Sequence, residues 1–185
     1  MVGVQELRKG ATYSEDNELW RVVEYAHIKT GRGNATIRLK VRNVRSGGTM
    51  EKTYPSGSRV QDVRLDHAEV QYLYNDGDLY YFMDLETNEQ PVLNASMLGD
   101  AVNFMTDGIM LELESYEGEP ISVELPTTVD LEVIQTDPGF AGDTATNATK
   151  PAIVSTGYQA QVPLFVNIGD KIRIDTRTGA YLTRV

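Results

Sequence analysis

Short runs of β-branched and aromatic residues, separated by Gly, Asn, Asp and Pro, recur along the whole chain. In residues 37–42 apolar and basic residues alternate with a period of two, which places Ile37, Leu39 and Val41 on one face of a predicted strand. Further strands are predicted at 19–25, 70–74, 79–83, 121–125, 130–134, 162–166 and 171–174. One short helix is predicted over 96–105, with Ser96 as its N-cap. Many short strands with so little helix predict an all-β chain of small barrels.

Charge is sorted along the chain into three segments. Residues 1–64 hold twelve Lys and Arg and seven Asp and Glu, a net charge of +5. Residues 65–127 hold fourteen acidic residues and no Lys or Arg, and residues 128–185 carry a net charge of -1, which completes the -10 of the chain. We therefore expect three domains, at 1–64, 65–127 and 128–185, each close to the smallest size that sustains its own core. Only the first is expected to meet nucleic acid phosphates directly.

The sequence motifs of the common enzyme classes are absent from this chain. It contains no phosphate-binding loop, no nucleophile elbow and no dinucleotide fingerprint. It has no Cys and only two His, so we expect no catalytic residue, no metal and no cofactor. The N-terminus lacks the apolar core of a signal peptide, and the longest uncharged run, 151–169, is interrupted by Pro, Gly and Gln. The expectation is a non-enzymatic, cytoplasmic protein without a membrane partner.

The most distinctive local feature is an Arg between two glycines. Arg32 lies between Gly31 and Gly33, with Lys29 close by, in a stretch that has the composition of a hairpin loop. At about 3.3 Å per residue, its two strands would project the tip by roughly 20–30 Å. A row of basic residues is predicted along the outer face of the stem: Arg38, Lys40 and Arg42. Two interpretations are open. The hairpin is a probe whose guanidinium enters an RNA-lined cavity, or it is an ordinary exposed loop in which Arg32 serves solubility.

Over its full length the sequence resembles bacterial translation elongation factor P. The resemblance is carried by ordered matches in all three segments: 27–35, 51–54, 56–57, 71–77, 82–84, 86–87, 89–90, 136–139, 142–144, 150–152, 157, 162–165 and 169. It implies a KOW-like, SH3-related barrel followed by two OB-type barrels, in an L-shaped arrangement similar to tRNA. It also implies a factor that binds the ribosome between the peptidyl-tRNA and exit sites. There it would stimulate peptide-bond formation and relieve stalling at consecutive prolines.

The resemblance also implies roles for particular residues. Arg32 matches the loop-tip residue that reaches toward the acceptor end of the peptidyl-site tRNA. Gly142, Asp143 and Thr144 match a loop that lies near the exit-site codon on the small subunit. The implied partners are therefore ribosomal RNA, both subunits and the peptidyl-site tRNA. For the acidic segment 65–127 we predict a basic ribosomal protein, the exit-site stalk protein, or else a role in solubility only.

Two positions depart from the family pattern. Thr30 stands where many members have Pro, which leaves the loop less stiff. Ala160 replaces a larger aliphatic residue, and we expect this to affect packing only. Arg32 itself rules out the lysine-type modifications that many relatives carry at the tip, and it leaves rhamnosylation by a modifying enzyme as a hypothesis.

Two other functions stay open from the sequence. One is the paralogue that is similar to elongation factor P, although Gly142, Asp143 and Thr144 favour the standard member. The other is a generic OB-type module that binds oligosaccharide or single-stranded nucleic acid, which predicts exposed aromatic residues on one barrel face.

Overall fold

The computed structural model describes residues 1–29, 31–139 and 148–185. Strands dominate the described residues, and they form one sheet of six strands and two sheets of five. The prediction of an all-β chain with barrel-like sheets is therefore confirmed. None of the helices in the described part of the chain has the length and apolar content needed to cross a membrane.

The first sheet is antiparallel, with the order β1-β6-β2-β3-β4-β5. Its strands are β1 (Val2–Gly3), β2 (Thr12–Glu15), β3 (Glu18–Ile28), β4 (Thr36–Asn43), β5 (Thr49–Pro55) and β6 (Arg59–Asp62). Ile37, Leu39 and Val41 of β4 are each 0% exposed, so the period of two gave the buried face of this strand correctly. They pack with Tyr13 and Val22 into one apolar core.

The second sheet has the order β11-β10-β7-β8-β9. Its strands are β7 (Asp66–Asp76), β8 (Leu79–Asp84), β9 (Val92–Asn94), β10 (Met110–Tyr116) and β11 (Glu119–Glu124). Between β9 and β10 the chain forms a single α-helical turn, α1 (Ala95–Leu98), and a 3-10 helix over Gly99–Phe104. The predicted cap was wrong, because the Oδ1 of Asn94 accepts the Met97 N–H at 3.0 Å, while the hydroxyl of Ser96 donates to the same oxygen.

The third sheet has the order β14-β13-β12-β15-β16. Its strands are β12 (Thr128–Thr136), β13 (Thr149–Val154), β14 (Gln159–Pro163), β15 (Lys171–Asp175) and β16 (Tyr181–Arg184). The strand predicted over 162–166 was misplaced, since β14 starts at Gln159 and ends at Pro163, which has no N–H for a ladder. Ala160 is buried opposite Ala152 in this core, in agreement with a role in packing.

The chain divides into two compact units. Unit 1 contains Met1–His67 and Glu114–Ser122, and unit 2 contains Ala68–Leu113 and Val123–Val185. Within unit 2, the Phe104 ring packs into the core of the third sheet, where its centroid lies 5.0 Å from that of Tyr158. The predicted limits of the three domains, 64/65 and 127/128, stay predictions.

Candidate functional site

The loop that carries Arg32 joins β3 to β4. Gly31, Arg32 and Gly33 are all exposed, and no described atom lies within 4 Å of the place where a Gly31 side chain would begin. Thr30 lies outside the described residues. The tip of this hairpin therefore presents a guanidinium with no bulk beside it on the Gly31 side, as a probe that enters a narrow space requires.

The stem of the hairpin is part of the sheet and does not stand free. β5 pairs with β4 along the stem from Arg42↔Thr49 to Thr36↔Pro55, and the Ser56 N–H donates to the Ala35 carbonyl at 3.0 Å. The predicted hairpin of about 20–30 Å is therefore not a free two-stranded arm, because β5 is paired with β4 as far as Thr36. The hairpin is anchored in this way, since β4 is paired on both sides and three strands are more stable than an isolated two-stranded hairpin.

The basic row lies on the outer face of the stem, as the alternation predicts. Lys40 forms an ion pair with Glu24 across the strands at 3.1 Å, and the Nε of Arg42 donates to the Gly47 carbonyl at 3.4 Å. In the described strand register, Arg38 lies between Ala26 and Thr53. Of the three side chains, Arg38 is thus the one whose neighbours across both strands carry no charge, and it lies nearest the tip.

Behind the stem lies a polar cluster that sequence reasoning missed. Lys52 forms an ion pair with Glu15 and lies over the Trp20 ring, 4.4 Å from its centroid. The Tyr54 hydroxyl donates to Glu15 at 2.9 Å and lies 3.0 Å from the hydroxyl of Tyr13. Burial raises the pKa of Tyr13 to about 12 and raises that of Tyr54 as well, so both hydroxyls stay protonated at neutral pH. The cluster joins β2, β3 and β5, and the alternation of Lys52 and Tyr54 along β5 was its only sequence signal.

Part of the acidic segment is used inside unit 1. Glu114 forms an ion pair with Arg21, and Glu119 forms one with Arg45 at 3.2 Å. With Asp66 and the three acidic residues of Glu114–Ser122, the net charge of this unit is +1, compared with +5 for residues 1–64. The first unit is therefore less basic than its sequence segment, and its excess of positive charge is concentrated on the hairpin.

The third predicted contact, Gly142, Asp143 and Thr144, lies outside the described residues. The segment that leads toward it is described: Lys150 is buried and donates to the Asp137 carbonyl at 2.6 Å. A side chain at Gly139 would meet the Leu164 carbonyl oxygen at 2.3 Å, so only glycine fits where the chain passes over Leu164.

Comparisons with known proteins cover every part of this architecture. Three family models match: the KOW-like domain of elongation factor P over residues 3–60, its OB domain over 65–123, and its C-terminal domain over 129–184. These matches confirm the prediction of a KOW-like domain followed by an OB domain. The elongation factor P of Thermoanaerobacter sp. (strain X514) is 49% identical, and that of Caldicellulosiruptor saccharolyticus is 48% identical. Each alignment covers 100% of both chains.

Among solved structures, translation initiation factor 5A from Methanococcus jannaschii is similar with a TM-score of 0.49 and 23% identity. The similarity covers 67% of this chain and 93% of that one. The full-length identity to curated relatives decides the assignment. The chain belongs to the elongation factor P family, and it is a translation elongation factor and not an enzyme.

Proposed function

We propose that this chain binds the ribosome between the peptidyl-tRNA site and the exit site and stimulates peptide-bond formation there. It thereby relieves stalling at consecutive prolines. The observation that carries the proposal is Arg32, exposed between two glycines at the tip of an anchored hairpin in a member of the elongation factor P family. Lys29, Gly31 and Gly33 belong to the same tip.

The proposed mechanism is positioning. The ribosomal RNA centre forms the bond, and the factor holds the acceptor end of the peptidyl-site tRNA so that the rigid proline reacts from an aligned geometry. A guanidinium can fork onto phosphates or stack on bases, and either contact restrains the tRNA end. Since about 1.4 kcal/mol corresponds to a tenfold change in rate, a single well-placed contact is enough for a large effect.

The other contacts follow from charge and from the family pattern. Arg38, Lys40 and Arg42 would meet phosphates of ribosomal RNA and tRNA along the stem. Gly142, Asp143 and Thr144 would meet the exit-site codon on the small subunit, so that the factor contacts both subunits. We propose that it acts as a monomer in the cytoplasm, where its ribosomes are.

The acidic segment is proposed to contact a basic ribosomal protein, the exit-site stalk protein. RNA would be repelled by a stretch of 63 residues that holds fourteen acidic residues and no Lys or Arg. Glu114 and Glu119 already pair with Arg21 and Arg45, so this contact falls to the rest of the segment.

The generic nucleic acid module has one observation in its favour. Tyr74, 53% exposed, stacks on Tyr81 with ring centroids 4.7 Å apart, which is the exposed aromatic pair that such a module predicts. The pair lies within the acidic segment, however, which contributes no Lys or Arg of its own for a phosphate. We therefore place this function second.

The test is the rate of tri-proline peptide synthesis on purified ribosomes, with and without the unmodified recombinant protein. A message in which the prolines are replaced by alanine serves as the control. We expect clear acceleration of the proline message and little change of the control. Equal effects on both messages, or no binding in ribosome co-sedimentation, would contradict the proposal.

The state of Arg32 needs a separate measurement. The proposal that an enzyme rhamnosylates Arg32 predicts that natively purified protein is heavier than its sequence by one deoxyhexose. An intact mass equal to that of the bare sequence would remove this part of the proposal. Bound but inactive recombinant protein would instead point to a missing modification.

A further inference from the structure

Two adjacent side chains of unit 2 lie in two different apolar cores. Phe104 ends the 3-10 helix between β9 and β10, yet it is only 5% exposed and packs among the buried residues of the third sheet. Its ring centroid lies 5.0 Å from that of Tyr158, whose hydroxyl donates to the Gly179 carbonyl at 3.0 Å. The next residue, Met105, packs in the core of the second sheet. The chain therefore crosses from one core to the other at this point.

Hydrogen bonds attach the backbone at two places that are distant in the chain. Thr156, in the turn between β13 and β14, donates its hydroxyl proton to the Asn103 carbonyl at 2.6 Å. The short linker from β11 to β12 is held by Thr176, whose hydroxyl donates to the Pro126 carbonyl at 2.5 Å and whose N–H donates to the Thr127 carbonyl at 3.0 Å. A single attachment would allow rotation about the linker, and the second attachment restricts it.

The apolar contact between the two cores is not continuous. Ile109 and Leu125 are partly buried, and each packs against both cores. Beside them a cavity of about 280 Å³ remains, with Phe104, Leu125 and Thr176 among its lining residues. We call this set of contacts, made by Phe104, Thr156, Thr176 and the linker, the joint. Because the joint encloses a cavity, the buried ring of Phe104 supplies a large share of its apolar contact.

Each side of the joint carries a proposed contact with the ribosome. The second sheet belongs to the acidic segment, and residues 142–144 lie between β12 and β13 of the third sheet. A protein that binds through two contacts gains affinity only when it spans the distance between the two sites. A joint that is fixed before binding also avoids the loss of conformational freedom that binding would otherwise cost. The rigidity of the joint therefore bears directly on affinity.

We infer that Phe104 is a positioning residue, which locks the third sheet against the second so that unit 2 meets the ribosome as one rigid body. Domains joined by a small interface move relative to one another by default, and the buried ring removes that freedom here. Phe104 itself contacts no RNA and no partner in this role. The consequence for ribosome binding rests on the proposed function, whereas the rigidity of the joint is a property of the free protein.

The first test measures the joint directly in the free protein. The chain has no Cys, so spin labels can be attached through Leu85→Cys and Leu182→Cys, which are 52% and 49% exposed and lie on the two sides of the joint. Double electron–electron resonance should give one narrow distance distribution. Phe104→Ala should broaden it about twofold, since the barrels then move independently. Thr156→Val removes only the hydroxyl that reaches Asn103 and should broaden it in the same direction.

The second test separates positioning from stability. The factor concentration that gives half-maximal acceleration of tri-proline synthesis should rise about tenfold for Phe104→Ala, within the roughly 10²–10⁴ that a linked second contact can contribute. The rate at saturating factor should not change, because Arg32 lies in unit 1. Phe104→Leu keeps most of the apolar volume and should stay within about twofold of the unchanged protein. Leu98→Ala is the matched control, since Leu98 is equally buried on the same helical segment but packs in the second core.

The outcomes distinguish this inference from the proposed function. A broad distance distribution in the unchanged protein, or equal broadening by Leu98→Ala and Phe104→Ala, overturns the inference and leaves the proposed function intact. So does a Phe104→Ala variant that keeps both the narrow distribution and the half-maximal concentration. If the unchanged protein does not accelerate the proline message, the proposed function fails, and the distance measurement, which needs no ribosome, still decides whether Phe104 fixes the joint.

Discussion

Two hairpins of the molecule are built from the same kind of strands and end in opposite ways. The β3–β4 hairpin ends in a loop of seven residues with Arg32 exposed, and β5 flanks its stem. The β7–β8 hairpin closes in two residues, Gly77 and Asp78, because Asp76 pairs directly with Leu79. Its turn carries only negative charge. Similar strands thus support an open cationic tip in one place and a tight anionic turn in another, so their functions are set by loop length and charge.

The largest expected effect concerns the cores under the two stems. Leu39→Ala in the first hairpin should lower the free energy of unfolding by about 2–5 kcal/mol, and Phe82→Ala in the second by about 3–5 kcal/mol, because both side chains are fully buried. Arg38→Ala should stay within about 0.5 kcal/mol. Since Leu39 belongs to unit 1 and Phe82 to unit 2, hydrogen exchange should report each loss mainly in its own unit. Equal acceleration throughout the chain would show that the units unfold together.

The second prediction concerns function at the two tips. Arg32→Ala should slow tri-proline synthesis about tenfold or more, which corresponds to the loss of one positioning contact of about 1.4 kcal/mol. Asp78→Ala removes a charge from the other tip and should leave the rate unchanged. Single-turnover kinetics with saturating factor separate this effect from weaker binding. Equal rates for Arg32→Ala and the unchanged protein would contradict the role of the guanidinium.

The third prediction concerns the glycines of the two tips. Gly77 has a φ of +58°, in the left-handed region, so Gly77→Ala should destabilise the protein by about 1 kcal/mol. Gly31 is not in that region and has open space around it, so Gly31→Ala should change stability by less than about 0.5 kcal/mol. Urea denaturation measures both. A larger loss for Gly31→Ala would mean that the first loop is more constrained than its backbone indicates.

Local patterns in the sequence were enough to find the strands of both hairpins. The period of two along β4 identified its buried face, and the predicted strands 70–74 and 79–83 lie within β7 and β8. The features that the sequence did not predict depend on residues that are distant in the chain. Neither the flanking of the stem by β5 nor the placing of Glu114–Ser122 in unit 1 has a local signal, because each arises from pairing over many residues. The helix cap was misplaced by two residues, since Asn94 and Ser96 are both good capping residues and only the backbone decides between them.

The family resemblance identified the other residues of the proposed site, and the structure describes only some of them. It singled out Arg32, whose exposure the structure shows, and Gly142, Asp143 and Thr144, which lie outside the described residues. It did not indicate the cluster of Glu15, Lys52 and Tyr54 behind the stem. That cluster required the strand order, because its members come from β2 and β5 and meet only when the sheet closes.

The smallest expected effect is on association kinetics and concerns the charges of the two tips. Lys29→Glu should slow association with ribosomes about two- to threefold at low salt, because it removes attraction to RNA phosphates. If the acidic segment meets a basic protein, Asp78→Lys should also slow association. If the segment serves solubility only, Asp78→Lys should speed it, since a repulsive charge is lost. Stopped-flow measurements at two ionic strengths distinguish these outcomes, and both effects should shrink at 0.15 M salt, where screening sets in within about 8 Å. The sign of the Asp78→Lys effect thus decides whether the anionic turn is a contact in its own right.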